Sequence, residues 1–123
     1  MVLTNAHVVA GGDSVTVEVD GEAFDARVVS FDPQVDISII DVPQLSTQPL
    51  SLASSAVTAG TEALVLSYPN AGSFVAMPAR VREITDLNGP DIYRTTAATR
   101  QLYIIDSDGR HHSKVLAAVR SST

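Results

Sequence analysis

The chain has 123 residues, enough for one small domain, and a formal net charge of −6. That acidity excludes nucleic acid as the expected partner, because phosphate binding needs a basic face. There is no cysteine, which excludes disulfides and thiolate metal sites, and the apolar runs are far too short to span a bilayer.

Val15-Thr-Val-Glu-Val19 alternates with period two, as a half-buried strand does. Asp20-Gly21 is a hairpin turn signal, and the strand pattern resumes from Ala23 to Phe31. Asp32-Pro33 punctuates it. Ile37 to Val42 is a short apolar run closed by Pro43, consistent with a buried strand. Leu45 to Thr61 is rich in Ser, Thr, Ala, Pro and Gly and reads as a linker with one brief strand near Leu50. Ala63 to Leu66 is another strand, and Pro69-Asn70-Ala71-Gly72 a turn. Phe74 to Ile84 is extended in one or two pieces, Asn88-Gly89-Pro90 is a loop, and Leu102 to Ile105 is a last strand. Residues 115–119 suit a helical turn or a strand equally. Short strands separated by frequent turn signals predict an all-β barrel or sandwich.

Charge is uneven along the chain. Acid dominates up to residue 106, whereas residues 107–123 hold Arg110, Lys114 and Arg120 against Asp108. His111 and His112 fall there too. They read as a solvated pair, because adjacent histidines point differently and no third ligand is near in sequence.

His7 lies in Leu3-Thr-Asn-Ala-His-Val-Val9, and Asp36 opens Asp-Ile-Ser-Ile-Ile40, 29 residues later. Imidazole titrates near neutrality and can serve as a general base. A carboxylate on its other ring nitrogen fixes the tautomer and stabilises the imidazolium. Taken together, the two strings resemble the histidine and aspartate motifs of trypsin-like, HtrA-type serine proteases. Leu64-Val-Leu-Ser-Tyr-Pro69 is similar to the strand that begins that family's second barrel, with Ser67 in place of its usual glycine. Met77-Pro-Ala-Arg-Val-Arg-Glu83, Gly89-Pro-Asp-Ile-Tyr93, Thr99-Arg100 and Tyr103 resemble more specifically the membrane-anchored, acid-resistance serine proteases of the actinobacterial periplasm.

The resemblance implies a chymotrypsin-like double β-barrel. Most of a first barrel would occupy residues 1–52, a linker 53–61, the first half of a second barrel 62–106, and a divergent tail, disordered or frameshifted, 107–123. It implies His7 as base, Asp36 as its orienter, a polypeptide substrate, no metal or organic cofactor, and a periplasmic or extracytoplasmic parent. Met1 leads straight into Val2-Leu-Thr-Asn5, so any export signal is expected outside these residues.

The family's Gly-Asp-Ser-Gly-Gly string, which carries the nucleophile and the oxyanion amides, does not occur in the 123 residues. Ser113 and Ser107 lie near its expected place without the paired glycines. The chain is therefore expected to be a fragment, incomplete at both ends and inactive by itself. The competing expectation is a non-catalytic module that binds peptides or a partner along a strand.

Overall fold

A computed structural model describes residues 1–12, 14–69 and 72–107, and the backbone of 110–112. The elements are β1 (Val2–Thr4), α1 (Ala6–Val9), β2 (Val15–Val19), β3 (Glu22–Asp32), β4 (Ile37–Asp41), β5 (Glu62–Ser67), β6 (Val75–Pro90), β7 (Ala97–Ser107) and β8 (Arg110–His112). They form two four-stranded antiparallel sheets, ordered β1-β4-β3-β2 and β5-β6-β7-β8. Among the described residues strands dominate, and α1 is the one α-helix. It divides into two compact units, one of residues 1–51 and 88–100, the other of 52–87 and 101–123.

In the first unit, β3 makes the sheet curl. Its first half pairs with β2, from Glu22↔Val19 to Ala26↔Val15. Its second half pairs with β4, from Arg27↔Asp41 to Asp32↔Ile37, with a bulge between Val28 and Ser30. The β2–β3 turn is Asp20-Gly21, both at positive φ (53° and 81°), a conformation that Gly adopts freely and Asp tolerates. The core is Val9, Ile40 and Val42, with Val2, Val15, Val17, Phe24, Ala26 and Leu45 packed against it. Ser38, fully buried among these strands, donates its hydroxyl to Ser30 O at the bulge (2.8 Å), so that buried hydroxyl is paired.

In the second unit, β5 pairs with β6 from Glu62↔Arg80 to Ser67↔Val75. Val81 is fully buried and Ala63 and Ile105 nearly so. Its backbone holds the end of the linker, with Gly60 N donating to Val81 O (2.7 Å) and Val81 N to Thr61 O (2.9 Å). Val57 N also donates to the Tyr103 hydroxyl (3.3 Å).

Two expected local elements are corrected. No strand forms near Leu50. The Ser- and Pro-rich segment gives it no pairing partner, and Leu50 and Leu52 are exposed. Asn88-Gly89-Pro90 is not a loop but the end of β6. Pro is tolerated at the last strand position, and the reversal comes at Asp91 instead. Residues 110–112 pair with β7 as β8. Asn70, Ala71, Ser113 and residues 115–119 lie outside the described residues.

Candidate active site

The histidine arrives on a tight element. β1 ends at Thr4, and α1 is one helical turn whose Ala6 and Val9 are buried. The turn thereby holds His7 on the opposite, exposed side. Asn5 is the N-cap residue by position, yet its side chain makes no cap bond. Its amide instead donates to Asp36 O (3.0 Å) and lies 3.4 Å from Asp36 Oδ2.

The aspartate arrives on a hairpin loop. Asp32 Oδ1 accepts the amides of Gln34 (2.9 Å) and Val35 (3.2 Å), closing a local turn that Pro33 pre-shapes. The loop ends at Asp36 with φ of 60°, in the left-handed region that Asp enters more readily than most side chains. That residue is the last before β4, whose buried Ser38 and Ile40 fix the strand's facing.

His7 and Asp36 meet at two points. Asp36 Oδ2 lies 2.7 Å from His7 Nδ1, and Asp36 Oδ1 accepts the backbone amide of His7 (2.9 Å). The His7 side chain is 55% exposed and that of Asp36 only 16%. An ionised carboxylate can only accept, so Nδ1 must donate, and in the neutral ring Nε2 is left as the basic nitrogen. The arrangement can take up a proton at Nε2 and stabilise the resulting imidazolium through Oδ2.

Asn5, part of the histidine string, is a site residue to which the motif alone assigns no role. The other residues missed are on the β6–β7 hairpin tip. Ile92 N donates to Pro33 O (3.3 Å), and Arg100 Nε to Gln34 O (2.6 Å). Asp91 organises this tip. It accepts the amides of Tyr93 and Thr95 and the hydroxyls of Thr95 and Thr96, at 2.8–3.1 Å.

The Thr95 amide is the main cause that lowers the Asp91 carboxyl from 3.8 to about 2, against the upward push of burial; the two threonine hydroxyls and the Tyr93 amide add to the lowering. A folded value below the unfolded one stabilises above the unfolded pKa, and this contribution disappears as pH falls from about 4 toward about 2. Asp91→Asn is therefore expected to lower the melting temperature at neutral pH and to flatten its fall across that acid window. Thermal melts between pH 2 and 7 check this; an unchanged profile contradicts it.

Among the described residues no group of three or more His, Cys, Asp or Glu side chains could hold a metal ion. Ser107, at the end of β7, is buried.

Comparison with known proteins agrees in fold and in sequence. A family model described as "Trypsin-like peptidase domain" matches residues 1–110. Serine protease Rv3671c of Mycobacterium tuberculosis (strain ATCC 25618 / H37Rv) is 48% identical over 108 residues, which are 87% of this chain and 27% of that protein. The crystal structure of the active form of Rv3671c protease superposes with a TM-score of 0.81, covering 86% of this chain and 47% of that one. The HtrA-type protease AlgW, solved with a decapeptide, gives a TM-score of 0.60 at 25% identity, covering 67% of this chain and 26% of that one. The chain thus spans about a quarter of the curated relatives' length and about half of the solved Rv3671c chain. Its two curled antiparallel sheets share the chymotrypsin-like fold of these structures, and the chain belongs to the trypsin-like peptidase domain family.

Proposed function

We propose that this chain supplies the base and its orienter to a serine endopeptidase: His7 takes the proton of a serine hydroxyl, and Asp36 holds the ring and stabilises its charge. The observation that carries this is the double contact of Asp36 with the ring and the amide of His7, at 2.7 and 2.9 Å. A polypeptide would be cleaved through an acyl-enzyme, with His7 returning the proton to the leaving amine. The relatives named serine proteases and the decapeptide bound to AlgW support peptide chemistry at this fold. The setting is extracytoplasmic, in keeping with the motifs that resemble the periplasmic subfamily.

The isolated 123 residues are inactive in this reading, since the Gly-Asp-Ser-Gly-Gly string is not among them. Triad members act as a unit, and a base without its nucleophile gives no acyl-enzyme.

One feature favours a second reading, a strand-binding module. β1 and β2 are the edges of the first sheet, and a groove of about 360 Å³ runs along them, lined by Val2, Val15, Val17 and Ile40 among others. An extended peptide could add there by backbone pairing.

Fluorophosphonate labelling separates the two. In a longer polypeptide that joins these residues to the nucleophile segment, labelling is expected, and His7→Ala is expected to abolish it. Labelling that survives His7→Ala would overturn the catalytic role. No labelling, with a cooperative melt and saturable peptide binding, would favour the binding module.

A further inference from the structure

The geometry points to Arg100 as a positioning residue for the His7–Asp36 pair, acting through the loop of residues 33–36; this rests on the proposed roles of that pair.

The loop has one local tie, the Asp32 carboxylate on the amides of Gln34 and Val35. Its carbonyls are held from far away in sequence. Pro33 O accepts from Ile92 N, Gln34 O from Arg100 Nε, and Asp36 O from Asn5 Nδ2. Asp36 itself sits at φ of 60°, a left-handed conformation that disfavours a non-glycine residue and persists only where its surroundings impose it.

Arg100 suits this task by its shape. Nε donates to Gln34 O at 2.6 Å, and Nη2 donates to Pro90 O at 3.1 Å, so one planar guanidinium ties the loop to the end of β6. Among the described residues its charge meets carbonyl oxygens and no carboxylate. The anchor at the other end is firm, because the four bonds to the Asp91 carboxylate and the Asp91 N to Thr96 O bond (2.9 Å) close the hairpin tip. Phe31 and Tyr93, with ring centroids 6.3 Å apart, add an aromatic contact between the end of β3 and that tip. The Gln34 carbonyl is two residues from Asp36, so rotation of the Gln34–Val35 peptide would turn the carboxylate away from Nδ1.

The test is NMR on the 123-residue chain, reading the His7 Nδ1–H resonance and the exchange of the amides of residues 34–37. Arg100→Ala is expected to broaden or remove the Nδ1–H signal and speed exchange in the loop at least tenfold. Arg100→Lys, which can keep only one of the two bonds in good geometry, should recover part of both. Thr99→Val loses only the neighbouring bond to Asn88 Oδ1 and should change neither.

Arg100→Ala spectra like those of the unsubstituted chain would overturn the proposal, as would equal effects of Thr99→Val. Should Arg100→Ala fail to fold, an unchanged loop in Arg100→Lys overturns it. A missing Nδ1–H signal in the unsubstituted chain would remove the pair itself, a different failure, and the proposal with it.

Discussion

Asp36→Asn is expected to lower peptide hydrolysis about ten-thousand-fold in a longer polypeptide that joins these residues to a serine nucleophile. The size follows from which atoms are already committed. Asp36 Oδ1 accepts a fixed donor, the His7 amide, and Oδ2 faces Nδ1. An asparagine must keep its oxygen on the amide, which turns its NH2 toward Nδ1. Nδ1 then has to accept, the ring proton moves to Nε2, and the base is lost while the fold stays. Initial rates at saturating substrate, with melting curves to verify folding, check this. A loss of less than about tenfold would contradict the role given to Asp36.

Ile40→Ala is the substitution with the largest expected cost to folding, about 2–5 kcal/mol. Ile40 is 3% exposed and lies in mid-β4 between Val2 of β1 and Val28 of β3. It packs with Val9 and Val42, and among the described residues few other side chains are close to fully buried. In a domain of ordinary stability that loss is a large share of the total. Because Val9 belongs to α1, the same cavity should loosen the turn that carries His7. Urea denaturation of the chain measures it, and a loss under about 1 kcal/mol would contradict the packing described.

The sequence disclosed what is local. Alternation from Val15 to Val19, the Asp20-Gly21 turn and the apolar run from Ile37 each specify their strand by nearest neighbours, and the structure has all three. His7 and Asp36 were legible as two short strings at a family spacing, and the fold brings their side chains into contact. What stayed hidden is long-range. Asn5 lies in the histidine string with nothing local to mark its partner, and only the folded chain shows its amide turned to a residue 31 positions away. Arg100 is 66 residues from Gln34, and no periodicity links them. Gly89-Pro90 reads as a loop because both residues break strands in general, whereas here they end one.

The most direct measurement is the tautomer of His7 in the 123-residue chain, read from its two imidazole 15N shifts at a pH where the ring is neutral. A half-buried carboxylate on Nδ1 should hold the proton there, giving a single Nδ1–H form with Nε2 as the basic nitrogen. A ring protonated at Nε2, or one averaging freely between the two forms, would contradict the pairing from which the proposed chemistry follows.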